Sequence, residues 1–257
     1  MILEAAFFKI PEVLSTLAHD AKRGAIYEDT VRGIYYTAIL QELNLRNIKH
    51  PASKAILNRA YPIGQTGTTP LTCDVFADFS ADYLTPHFNG PEWGLGIRNY
   101  VEIKYYAGDP GAGVQAREAL LRDLFKVSLL VADAQDKGYV LVAFHGSASP
   151  EAFLSAVQGR AGAWVRPLLK RSNSIAIDLT QETEMIRKRF GVDSNFSPKL
   201  NLTPIYHHWE KKGKTAFLGI LIRVDSFELK SQIGNLQRGM LASDLRKRYA
   251  QMLKLIA

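Results

Sequence analysis

Two residues of opposite charge stand two positions apart in an otherwise apolar run, Val101-Glu102-Ile103-Lys104-Tyr105. In a β-strand, successive side chains point to opposite faces. Glu102 and Lys104 then share one side, and Val101, Ile103 and Tyr105 share the other. An acid and a base held this way form either an ion pair on a wet sheet face or part of a catalytic site. Upstream, Asp74 sits among Leu71, Val75 and Phe76. If the two strands pair, Asp74 comes close to Glu102. Two neighbouring carboxylates resist ionising unless a cation neutralises them. A hard divalent ion does so through one or two carboxylates and several waters: Mg²⁺, with Mn²⁺ as the alternative. A lysine beside such an ion can hold its water or stabilise charge on a phosphate oxygen. Acid, acid, lysine and metal together suit phosphodiester hydrolysis. Asp78 and Asp82 are rival acids, but the apolar run ends near Phe79.

These residues need a sheet and helices to hold them. Residues 98–106, RNYVEIKYY, are rich in aromatic and β-branched types and read as a strand. Residues 71–79 and 55–63 read as two more. The Pro/Gly/Asn-rich stretch TPHFNGPEWGLG, between the strands at 71–79 and 98–106, reads as a long hairpin loop. GDPGAG opens a helix over residues 114–134, and GYVLVAFHG follows as a fourth strand. Towards the N-terminus, Pro11 marks a helix start. A longer helix spans residues 26–45, with Val31, Ile34, Tyr35, Ala38 and Leu45 on its stripe. Glu28 and Glu42 lie seven residues either side of Tyr35, and only one can reach a metal site on the sheet. Glu28 is the better placed, because Glu42 stands near the helix end.

The pattern resembles the PD-(D/E)xK nuclease superfamily, the restriction-endonuclease-like proteins. Asp74 lies on one strand and Glu102-x-Lys104 on the next, and residues 25–146 follow the order helix, three strands, helix, strand. The local texture agrees: AYPIG, CDVFADF, NYVEIKYY, then LLRDLFKVSLLVADA. Cys73 stands where the superfamily motif has proline, and residues 80–97 would be an insertion. The resemblance implies an α/β fold, a central mixed sheet flanked by helices, with residues 1–150 as the core. It also implies a Mg²⁺-dependent nuclease. Asp74 and Glu102 would be metal ligands, Glu28 an accessory ligand from the helix, and Lys104 the group that positions water or phosphate. The expected substrate is double-stranded DNA, cut by endo- or exonucleolytic action, with room for a homodimer. The alternative is a nucleic-acid-binding protein on the same fold with a weak or inactive site.

Charge points the same way. Lys and Arg number 32 against 25 Asp and Glu, a net +7. A basic surface gains from counterion release on nucleic acid. Arg98 lies at an even offset from Glu102 on the same strand, and Arg117 and Lys126 lie on the helix that follows. All three are expected at the rim of the Glu102 cleft, on nucleic-acid phosphates. The balance of 47% hydrophobic and 22% charged residues excludes disorder for the bulk of the chain. No apolar run is long enough for a transmembrane helix, and no secretory leader pattern is present. The single cysteine, Cys73, excludes an intrachain disulfide and fits a reducing compartment, so a cytoplasmic location is expected.

Residues 151–257 form a C-terminal extension expected to pack on the core. Helices are expected at 151–157 and 181–189. Strands at 204–210 and 215–224 would be joined by KKGK, and a basic amphipathic helix would cover 243–256. Several motifs are set aside. GDPGAG has the glycine order G-x-x-G-x-G, not that of a dinucleotide-binding loop. His207 and His208 face opposite ways on a strand. Cys73 lacks an evident base. Ser147 and Ser149 make no nucleophile elbow.

Overall fold

Val75, Ala77, Val101, Ile103, Tyr139, Leu141 and Ala143 are buried and fall at alternate positions of three neighbouring strands. That period of two builds one apolar sheet face. The computed structural model describes residues 1–20, 27–60, 72–83, 85–86, 88–107, 113–131, 135–146, 164–168, 174–178, 197–212, 215–231 and 234–235. Its helices are α1 (Ile2–Asp20), α2 (Glu28–Leu45), α3 (Pro51–Lys54), α4 (Gly113–Leu130) and α5 (Val165–Leu168). Its strands are β1 (Ala55–Ala60), β2 (Thr72–Asp78), β3 (Arg98–Ala107), β4 (Lys137–Gly146), β5 (Ile175–Asp178), β6 (Ser197–Lys212), β7 (Thr215–Ser231) and β8 (Gly234–Asn235).

The strands form one mixed sheet in the order β1-β2-β3-β4-β7-β6-β5, with β8 on β7. β2 and β3 are an antiparallel hairpin, as the loop-rich connection predicts. β3 and β4 are parallel, which requires the crossover that α4 supplies. The fold is therefore α/β, with a central mixed sheet. β7 pairs directly with β4, so the β6–β7 hairpin extends this sheet.

Two layers of helix cover the sheet. α1 and α2 pack on the Val75–Val101–Leu141 face through Phe7, Ile10, Leu14, Val31, Tyr35 and Ile39. α4 covers the other face with Leu120, Leu124 and Val127. Its approach is close: a Cβ on Gly138 of β4 would lie 2.3 Å from Val127 Cγ1, so only glycine fits there.

The N-terminal helix starts earlier than Pro11 suggests. It begins at Ile2 and runs through Pro11. Ile2, Leu3, Ala6, Phe7, Ile10 and Leu14 are buried at helical spacing, and that apolar stripe carries the helix past a residue that cannot donate a backbone hydrogen bond. The helices expected at 151–157, 181–189 and 243–256, and most of the GDPGAG turn, lie outside the described residues. Among the described residues no helix is long and apolar enough to cross a membrane.

Candidate functional site

The hairpin ladder of β2 and β3 runs from Asp78–Arg98 to Val75–Val101 and stops there. One more step of that register would set Asp74 opposite Glu102, on the face that α4 covers. At that step the Asp74 side chain takes over: Oδ2 accepts the Ile103 N–H at 2.7 Å. Side chains from α2 and α4, which cover opposite faces, meet where the ladder ends.

From α2 come Glu28 and Arg32, one turn apart. Glu28 is the first helical residue, where an acid is favoured by the helix dipole. Its Oε2 accepts the Tyr105 N–H at 3.4 Å and lies 3.5 Å from Lys104 Nζ. Arg32 Nη2 lies 2.7 Å from Asp74 Oδ1 and 3.7 Å from Glu28 Oε1, and its Nη1 lies 2.6 Å from Asp29. Arg32 thus stands between Glu28 and Asp74. From α4 come Asp123 and Lys126. Asp123 Oδ2 lies 3.2 Å from Lys104 Nζ. Lys126 Nζ lies 2.8 Å from Glu102 Oε1 and donates to the Thr72 carbonyl at 3.1 Å.

Asp74, Glu102 and Asp123 are all buried. Burial above all pushes the Glu102 carboxyl up to about 7. Asp74 and Asp123 add to the rise, while Lys126 opposes it. For Lys104, burial lowers the ammonium, but Asp123, Glu28 and Asp74 outweigh it and hold it above its ordinary value. The Lys104 ammonium is thus flanked by Asp123 and Glu28, which favour its charged form.

A crowded, buried set of oxygen donors is what a hard divalent ion neutralises. Among the described residues no three His, Cys, Asp or Glu side chains are gathered as ligands round one point. The strands supply the Asp74–Glu102 pair instead, and Mg²⁺ commonly takes one or two carboxylates and completes its shell with water. The donor set fits such an ion.

Sequence alternation brings Asp74, Glu102 and Lys104 together, and Glu28 reaches them. Glu42 is at the other end of α2, paired with Arg46. The rival acids are engaged elsewhere: Asp78 accepts the Ser80 N–H and Asp82 pairs with Lys54. The expected basic rim is placed otherwise. Arg98 clasps the buried Asp136, with Nη2 at 2.8 Å from Oδ2 and Nε donating to Oδ1 at 3.0 Å. Arg117 is buried on α4. Lys126 lies inside the site rather than at its edge. Cys73 donates to the Val75 and Val101 carbonyls, and burial holds its thiol well above the ordinary range, so it is inert.

Arg32 and Asp123 are the members that residue types alone did not reveal. Asp123 carried a legible signal. It falls three residues after Leu120 and four before Val127, an acid on the buried stripe of α4. Arg32 carried little, because Glu28 and Arg32 look like an ordinary surface pair one turn apart.

The chain matches no family model, no curated protein and no solved structure.

Proposed function

We propose that this protein is a divalent-metal-dependent nuclease of the PD-(D/E)xK kind, hydrolysing phosphodiester bonds in DNA. The reading rests on one observation above the rest. Buried Asp74 and Glu102 fall on adjacent strands where the β2–β3 ladder ends, with Lys104 two residues further along β3. A Mg²⁺ or Mn²⁺ ion held by these two carboxylates would supply charge stabilisation at the phosphoryl oxygens and a more acidic water.

The chain's own groups do the rest. Arg32 and the Ile103 N–H fix both oxygens of Asp74, so that carboxylate is oriented before any substrate arrives. Asp123 and Glu28 hold the Lys104 ammonium between them. A permanently charged Lys104 donates to a phosphate oxygen or to the attacking water, and its neighbours keep it from acting as the base. Glu28 acts by orienting Lys104 and Arg32 rather than by ligating metal. Arg122, on α4 and half exposed beside Asp123, is placed among the described residues to meet an incoming backbone.

One observation favours a second reading, a nucleic-acid-binding protein without catalysis: Arg32 and Lys126 already compensate Asp74 and Glu102. The test is incubation of supercoiled plasmid, linear duplex, single-stranded DNA and RNA with purified protein and Mg²⁺ or Mn²⁺. Nicking or degradation that a chelator stops is the expected result. Salt-sensitive binding with no cleavage of any substrate identifies the second reading.

A further inference from the structure

We infer that Lys126 is the resident counterion of the site, held on Glu102 until a divalent cation takes its place. The inference rests on the metal-binding reading above and adds a residue to it. Three observations carry it. The Lys126 ammonium sits 2.8 Å from Glu102 Oε1 and 3.1 Å from the Thr72 carbonyl, so it spans the open end of β2 and the carboxylate of β3. Glu102 is 3% exposed, and the Lys126 side chain only 14%. This is a desolvated pair, unlike the surface pairs that contribute almost nothing. Finally, the strand register sets the same carboxylate opposite Asp74, one step beyond the last pair of the β2–β3 ladder.

An ammonium on Glu102 Oε1 and a dication on the same carboxylate repel each other at close range. Metal entry therefore favours the withdrawal of Lys126. A lysine suits that exchange. Its charge is compact and its four-carbon stem flexible, so it can withdraw without moving α4. Arg32 does not suit it, because its guanidinium is tied to Glu28, Asp29 and Asp74 together. The site thus has one fixed cation and one exchangeable cation. Once displaced, Lys126 can meet a phosphate oxygen, which places its substrate contact after metal binding rather than before it.

The test is calorimetric titration of Mn²⁺ into the full-length protein and two variants, with thermal melts alongside. Lys126→Met removes the competitor. It should bind Mn²⁺ about tenfold more tightly, the equivalent of one charge-assisted hydrogen bond no longer displaced. It should also melt lower without metal and gain more from metal than the parent does. Lys126→Arg keeps the charge on a planar fork that is harder to displace, and should bind Mn²⁺ more weakly than the parent. This second variant decides the matter if Lys126→Met does not fold. Unchanged or weaker Mn²⁺ affinity in Lys126→Met, or unchanged affinity in Lys126→Arg, overturns the exchange and leaves the metal site standing. Absence of Mn²⁺ binding by the parent and both variants overturns the exchange and the metal-site reading together.

Discussion

The Asp74 carboxylate accepts the Ile103 amide at 2.7 Å, just beyond the last backbone pair of the β2–β3 ladder. One side chain therefore both ends the hairpin pairing and anchors Arg32. Asp74→Ala strips the partner from a buried N–H and from a guanidinium, at a cost of about 1–3 kcal/mol. Asp74→Asn keeps an acceptor for Ile103 and loses only the charge facing Arg32, so it should unfold at a denaturant concentration between those of the parent and Asp74→Ala. Equal midpoints for the two variants would mean that the Ile103 contact contributes nothing.

Glu102 gives the metal-free protein a pH signature. Its folded-state value of about 7 lies above the ordinary 4.5. The folded protein holds the proton more tightly than the unfolded chain, so the contribution to stability is complete below pH 4.5 and is lost as pH rises through about 7. The ceiling on that loss is about 3 kcal/mol. Melting temperature without metal should fall between about pH 5 and 7.5, and Glu102→Gln should flatten that segment. An unchanged slope in the variant would assign the effect to another group.

Much of the site was legible because strands have a period of two. Alternation placed Glu102 and Lys104 together, pairing of the two strands was needed to bring Asp74 to their side, and the hairpin followed from the loop-rich connection between them. The same rule misled at Arg98. An even offset gives the face but not the position along it, and four residues of strand carry Arg98 about 13 Å from Glu102, to Asp136. Pro11 misled at α1, where a residue favoured in the first helical turn is tolerated mid-helix because the flanking stripe is buried. Asp123 and Lys126 lie far from the motif in sequence. The crossover of α4 over the sheet carries both into the site, Lys126 deeper than the rim where it was expected.

Lys104 should behave as a charge at every working pH. Asp123 and Glu28 keep its ammonium above the ordinary value, so no lysine deprotonation should appear in the rate profile between about pH 7 and 9. A pH–rate profile of the parent, set against Asp123→Asn, checks this. Asp123→Asn should cut cleavage about 10- to 100-fold through a loosened Lys104. A rate that climbs with pH through this alkaline range in the parent, and not in Lys104→Met, would make the lysine a base and contradict its role as a fixed cation.

Arg98 should matter for folding and not for nucleic acid. Arg98→Ala leaves Asp136 buried without its guanidinium partner, a loss of about 3–5 kcal/mol for a fully buried pair and less in this case because Arg98 is partly exposed. The salt dependence of duplex affinity, measured from low to moderate salt in a Glu102→Gln background to prevent cleavage, should keep its slope. A slope reduced by about one unit would return Arg98 to the phosphate-binding surface.

The central claim is that Glu102 and Lys104 carry phosphodiester hydrolysis. Single-turnover cleavage of duplex DNA in saturating Mg²⁺, by the parent and by Glu102→Gln and Lys104→Met, tests it most directly, with melting curves to show that each variant is folded. Both variants should lose at least about a hundredfold in rate, as expected when a group that stabilises developing charge is removed. Cleavage at the parent rate in both folded variants would contradict the account.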